Sequence, residues 1–241
     1  MIASLSKRCR LRVFSGLFFL FLVSGCATTS GDPRDPLEGF NRGVYQFNQA
    51  ADEVVFNPIG RGYNALTPEI VDEGVTNFFA NLGEIANFAN NVLQFEFDAA
   101  ANTVVRFMLN SSIGIGGFFD VASEGVPRQD ADFGMTLAHW GLGPGPYLVL
   151  PIMGPSTARD TVGMAADTFM NPITYLDSDS ARAGLVALGI VDVKSDLLTT
   201  GDLVSEAALD EYEFVKNAYF ERRRGQIEGG APDYEAFDDE S

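Results

Sequence analysis

Apolar residues recur at helical spacing along most of this chain. Val71, Val75, Phe78 and Leu82 stand at i, i+4, i+7 and i+11, one stripe of a helix. Ile85, Phe88, Ala89, Val92 and Leu93 form a second stripe, and Ala101, Val104, Val105 and Met108 a third behind Asp98, which is placed to cap it. The spacing returns in Val186, Ile190, Val193 and Leu197, then in Ala208, Tyr212, Val215 and Tyr219. Thr67-Pro68-Glu69 reads as a helix start: a cap, a proline at the first helical position, then an acid. Alternation of the strand kind is scarce, so the pattern predicts an all-α body.

The middle of the chain breaks this rhythm. Ten of the twenty-five glycines lie between Gly114 and Gly163, and five of the eleven prolines between Pro127 and Pro155. These breakers are mixed with large apolar groups, as in Ile113 to Phe119 and Trp140 to Met153. Loops are ordinarily polar, so an apolar Gly/Pro-rich loop needs cover from protein or from lipid. Composition leaves two readings open: a long connection folded under the helices, or a loop that touches acyl chains.

The N-terminus has the layout of an export signal. Lys7, Arg8, Arg10 and Arg12 precede an apolar stretch from Val13 to Val23, too short to span a bilayer comfortably. Val23-Ser24-Gly25-Cys26 resembles the bacterial lipobox, which predicts a signal peptide over residues 1–25 and lipidation of Cys26. Ala27, in place of the Asp that retains such lipoproteins at the inner membrane, points to the outer membrane. Residues 26–36 read as a lipidated tether, 37–224 as the helical domain, and 225–241, with six acids and no base, as a disordered acidic tail. Loss of the four signal bases takes the net charge from −17 to −17 − 4 = −21. That excess argues against nucleic acid and against electrostatic capture by anionic headgroups. Membrane contact is left to acyl chains and apolar surface.

Local chemistry is sparse. No G-x-x-x-x-G-K-[ST] cradle is present to hold a triphosphate, and the glycines at 114, 116 and 117 lack its lysine. His139 is the sole histidine and Cys26 the sole cysteine after signal removal, so neither a metal nor another cofactor is expected. Gly154-Pro-Ser-Thr-Ala158 falls short of a nucleophile elbow, and Thr157 with Asp160 reads better as a capping box than Ser156 does as a nucleophile. Eleven asparagines lie between Asn41 and Asn110, several on amphipathic stretches. Inter-helix hydrogen bonding together with exposed positions is the plainer account of them. A surface that meets both headgroups and acyl chains is the alternative.

Several blocks resemble one family at consistent spacing. Asp35-Pro-Leu-Glu-Gly-Phe-Asn-Arg-Gly-Val-Tyr-Gln-Phe-Asn48 is similar to the opening motif of the MlaA (VacJ) lipoproteins. Asn77 to Leu82, Arg106 to Asn110, Gly116 to Ala122, Asp132 to Leu137, Trp140 to Tyr147 and Leu150 to Asp160 follow in order. The resemblance implies a non-enzymatic outer-membrane lipoprotein, anchored on the periplasmic side, that extracts misplaced phospholipid from the outer leaflet. It further implies a ring-like helical body with an amphipathic central channel. The implied partners are phospholipid, a trimeric outer-membrane porin, and a soluble periplasmic carrier linked to an inner-membrane ABC transporter. The residues expected at the channel or its gate are Phe40, Asn41, Tyr45, Phe47, Asn48, Trp140, Gly141, Gly143, Gly145, Tyr147 and Pro151. The competing expectations are a periplasmic lipid esterase and a passive envelope scaffold.

Overall fold

The computed structural model describes residues 31–228; the signal segment, Cys26 and the last thirteen residues of the predicted tail lie outside them. The first helical stretch runs unbroken through α1 (Glu38–Ala51), a π-helical segment (Asp52–Phe56) and α2 (Asn57–Leu66). Helices α3 (Glu69–Leu93) and α4 (Phe97–Ser112) form an antiparallel pair. A loop with one 3-10 turn (Val121–Glu124) leads to the short α5 (Phe133–His139). Strands β1 (Tyr147–Leu150) and β2 (Gly154–Thr157) make one hairpin, then come α6 (Ala158–Met170), α7 (Asp179–Ala207) and α8 (Glu211–Glu228).

Local sequence accounts for many of these boundaries. Asp132 caps α5 by accepting from the Met135 amide at 2.8 Å, and Thr157 caps α6 by accepting from the Asp160 amide at 3.2 Å, as the capping-box pattern predicts. Asp98 differs from expectation: α4 begins at Phe97, so Asp98 sits in the first turn, where its charge still suits the helix dipole. Gly134 and Gly163 let α5 and α6 cross in backbone contact, since a Cβ on Gly163 would lie 2.4 Å from the Gly134 nitrogen.

The fold is mostly helical, as the spacing predicts, with two differences. The Gly/Pro-rich middle contains the β1–β2 hairpin, in register from Tyr147 opposite Thr157 to Leu150 opposite Gly154. At the other end, α8 continues four residues past Arg224 to Glu228.

Polarity is turned inside out across the α3–α4 pair. Its buried positions include Asn81, Glu84, Asn87, Asn90 and Asn91 on α3, and Thr103, Arg106 and Asn110 on α4. Its exposed positions include Ile85, Phe88, Val92, Val104, Val105 and Met108. The second and third apolar stripes of the sequence therefore face outward here, while Val75, Phe78 and Leu82 of the first are half-buried. On α7 too, Val186, Val193 and Leu197 face outward while Asp192 and Ser195 are buried.

The polar interior is largely paired, Asn81 Oδ1 being an exception. Arg106 reaches Glu84 at 3.2 Å, Asp120 at 2.7 Å and the Val126 carbonyl at 2.7 Å. Asn110 donates to Asp120 at 2.8 Å and accepts from the Ala122 amide at 3.0 Å, so α4 fixes the loop that follows it. Asn90 donates to Asp167 on α6 at 2.9 Å and accepts from the Thr136 hydroxyl at 3.0 Å, which joins three helices. Hydrogen bonding is thus the role of the asparagines on this face, although they are buried rather than exposed. A partnered amide avoids the penalty of an unsatisfied buried polar group.

A second charged knot ties α5, α6 and α8. Arg223 bridges Asp132 at 2.6 Å and Asp160 at 2.9 Å, and the Tyr219 hydroxyl donates to Asp160 at 2.6 Å. Burial opposes ionisation of Asp160, but bonds from Arg223, Arg159 and Tyr219 outweigh it and hold the carboxyl well below the usual range.

Candidate functional site

The expected site residues fall into two groups, one built against the hairpin and the other on the loop before it and at its tip. Asn41 and Asn48 are seven residues apart on α1, hence on one face and two turns apart. Each binds the main chain of the hairpin as a peptide group would. Asn41 donates to the Tyr147 carbonyl at 2.9 Å and accepts from the Val149 amide at 3.0 Å. Asn48 donates to the Leu150 carbonyl at 2.9 Å and accepts from the Ile152 amide at 2.8 Å. Together they pin the free edge of β1 and the turn beyond it along α1.

Residues that sequence reasoning did not single out complete this node. The Arg34 carbonyl accepts from the Tyr147 amide at 2.8 Å. Asp35, fully buried, accepts from Asn41 at 2.8 Å and from the Tyr212 hydroxyl at 2.5 Å. Lys216 on α8 is also fully buried and contacts Glu213, Asp32 and Asp35 at 2.8, 3.3 and 3.5 Å. The stretch read as tether is therefore held against the body from Asp32 onward. Asp35 opens the quoted motif, but nothing in the spacing marks Lys216.

Tyr147 is the hub. It has no exposed surface and packs edge-on to Tyr212 and Tyr219, while Tyr45 packs edge-on to Tyr212. Burial first, then the nearby charge of Asp35, pushes the Tyr147 phenol far above its ordinary value, and its hydroxyl lacks a hydrogen-bond partner. Tyr45 and Tyr147 thus belong to packing, whereas Phe40 and Phe47 lie exposed on α1.

The other group is outward-facing. Trp140 is half exposed, with its indole N–H donated to the Leu93 carbonyl at 3.1 Å and its ring edge-on to Phe133. Gly141 and Gly145 adopt φ of +89° and +68°, which a side chain tolerates poorly, whereas Gly143 has open space where a Cβ would go. Pro151 starts the exposed hairpin tip with Ile152 and Met153.

Among the described residues, three bulky ones hold left-handed backbone conformations: Phe95 (φ 63°), Ile115 (φ 54°) and Ile152 (φ 68°). Such positions cost on the order of 1–3 kcal/mol each. All three expose their side chains at turns next to other apolar groups: Phe97, Ile113 and Met153. In water this arrangement forfeits burial as well as backbone ease. Moving a large apolar side chain out of water is worth roughly 1.5–3 kcal/mol, so six such residues supply about 10 kcal/mol and outweigh the strain. The surface is suited to an apolar solvent.

Ser156 offers no elbow. It lies in β2 opposite Leu148, is buried, and its hydroxyl contacts the Thr161 hydroxyl and the Thr157 carbonyl at 3.0 and 3.3 Å. Among the described residues, no helix is long and apolar enough to cross a membrane, and no group of three or more His, Cys, Asp and Glu side chains is placed to hold a metal.

Residues 33–226 match the family model described as MlaA lipoprotein. The chain is 35% identical over 217 residues to the intermembrane phospholipid transport system lipoprotein MlaA of Escherichia coli K12, covering 87% of this chain and 86% of that one. It is 29% identical over 230 residues to the Haemophilus influenzae protein of the same name, covering 90% and 91%. A solved structure described as "Structural basis for maintenance of bacterial outer membrane lipid asymmetry" superposes with a TM-score of 0.71 at 33% identity, covering 80% of this chain and 98% of that one.

Proposed function

Because this chain belongs to the MlaA lipoprotein family, we propose that it works in intermembrane phospholipid transport and keeps the outer membrane asymmetric. In this reading it withdraws phospholipid misplaced in the outer leaflet and passes it to a soluble periplasmic carrier, with a trimeric porin as its membrane companion. Cys26, outside the described residues, carries the lipid that fixes it to the periplasmic leaflet.

The observation that carries this reading is the reversed polarity of the body. An exterior of Phe88, Val92, Val104 and Met108 over an interior of paired Asn, Glu and Arg is what a protein needs when its surroundings are acyl chains. A phospholipid brings about 30 methylenes at ~0.8 kcal/mol each, so free passage through water would cost roughly 24 kcal/mol. A protein path removes that barrier without an energy source of its own, provided it is continuous and amphipathic. A ring-like body enclosing such a path, gated by the hairpin and by the Trp140–Gly145 loop, is the geometry we assign to it. Asn41, Asn48 and Tyr147 position the hairpin; Phe40, Phe47, Trp140 and Pro151 offer apolar surface beside it.

Deleting the gene should raise outer-leaflet phospholipid and sensitivity to detergent and chelator, and the intact chain should reverse both. Unchanged surface lipid would overturn the transport reading. Gly143 is the site for a finer test, because Gly141 and Gly145 need their left-handed backbone. Gly143→Trp should leave folding intact and block transport if this loop borders the path; full transport would remove the loop from it.

A further inference from the structure

The middle of α7 is a saddle on which three other elements rest. A Cβ on Gly60 of α2 would lie 3.3 Å from the Ser195 Cα, Phe79 of α3 packs over Gly189, and Lys194 pairs with Asp52 of the π-helical segment at 2.5 Å. At its centre lies Asp192, 2% exposed. Its side-chain bonds run to the Thr76 hydroxyl of α3, which is 3.2 Å from both carboxylate oxygens. One hydroxyl proton divided between two oxygens is a weak substitute for a cation.

Of the groups facing Asp192, the charged ones are both acids, Asp72 and Asp196. Asp72 and Thr76 come from α3, Asp196 from α7 itself and Tyr63 from α2. Lys194, the nearest cation on α7, is committed to Asp52 and to the face of Phe56, and Arg61 on α2 has a contact of its own. Two buried atoms at this junction, Tyr63 Oη and Asp72 Oδ1, have no hydrogen-bond partner. Such orphans are uncommon and costly in a folded protein. Burial and the neighbouring Asp72 push the Tyr63 phenol up to about 12, yet neither atom has a close partner, and a protonated carboxyl is a further donor.

We propose that the α2–α3–α7 junction is a proton-operated joint: a proton on Asp192 draws the carboxyls of α3 and α7 together, and its loss drives them apart. Burial first, then repulsion by Asp196 and Asp72, raises the Asp192 carboxyl to about 6, despite the opposing bond from Thr76. The sign follows from linkage. The folded value lies above the ordinary 3.8, so the stabilisation is complete below about 3.8 and is lost as pH rises through about 6. The joint does not depend on lipid transport, so its test is made on the fold.

The mature chain in detergent, followed by amide exchange corrected for intrinsic rates at about pH 5 and about pH 8, reads this directly. Protection of residues 189–198 should fall roughly tenfold on going to the higher pH, because at about pH 5 only the part of the shift between there and about 6 is in play. Asp192→Asn should flatten that dependence and give high protection at both pH values. Equal protection of the natural chain at the two pH values, or an undiminished pH response in Asp192→Asn, overturns the proposal. Should Asp192→Asn fail to fold, Thr76→Val serves instead. Loss of the hydroxyl should move the transition to higher pH, and an unmoved midpoint counts against the joint.

Discussion

Replacing Asn48 by leucine keeps the volume and removes the amide. The Leu150 carbonyl and the Ile152 amide, now bonded at 2.9 and 2.8 Å, are left without partners in a site where Asn48 is only 6% exposed. Each stranded backbone group costs about 1–2 kcal/mol, giving roughly 2–4 kcal/mol for the pair. Ile152 already holds a left-handed φ of 68° that this bond helps to fix, so the upper half of the range is the better figure. The cost is local, because Asn41 still binds Tyr147 and Val149. Amide exchange resolves the two ends of the latch. Protection at Ile152 should fall by about 100- to 700-fold, at 1.4 kcal/mol per decade, while Val149 keeps most of its own. If Ile152 keeps its protection in Asn48→Leu, or if Val149 is lost to the same degree, the two asparagines are not separate latches and the reasoning fails.

Three further outcomes follow from the interior. Arg106→Met leaves Glu84 and Asp120 without their cation and should cost about 3–5 kcal/mol in denaturant unfolding, with part regained when Glu84→Leu is added. Gly163→Ala forces apart α5 and α6 at a 2.4 Å approach and should lower stability by about 2–4 kcal/mol, whereas Gly143→Ala, in open space, should stay within about 0.5 kcal/mol. The pH profile of melting should have an acid limb as well as the alkaline loss at Asp192. Asp160 and Asp120 have folded values below the ordinary 3.8, so their contribution is present above that value and is lost as pH falls below it. A melting temperature that stays level below about pH 4 would contradict the ion-pair assignment.

Helices were legible because their period survives any surroundings; the side they turn inward was not. The stripe Ile85, Phe88, Val92 fixes a face of α3, yet the neighbouring face of Glu84, Asn87 and Asn91, about 100° round the helix, is the buried one. A periodic pattern gives an axis of polarity, and its sign depends on the solvent outside. The asparagines were a clue to that sign, since an amphipathic stretch with water outside has little use for so many amides. The hairpin escaped notice because four residues, Tyr147 to Leu150, are too few to show alternation, and its strength comes from Asn41, more than a hundred positions away. Of the site residues in the opening motif, Asn41 and Asn48 brace the hairpin, while Phe40 and Phe47 lie on the surface. Lys216 was invisible because its role is set wholly by tertiary neighbours.

The reversed polarity also decides which form of this chain is vulnerable. For most proteins the unfolded chain is the sticky one, and folding hides it. Here folding brings Phe88, Val92, Val104 and Met108 to the outside, so the finished body is itself prone to self-association wherever lipid is lacking. Crossing an aqueous compartment in the folded state requires cover for that surface, and the acyl anchor proposed on Cys26 would add to that need. Delivery, more than folding, is the hazardous step in this molecule's life.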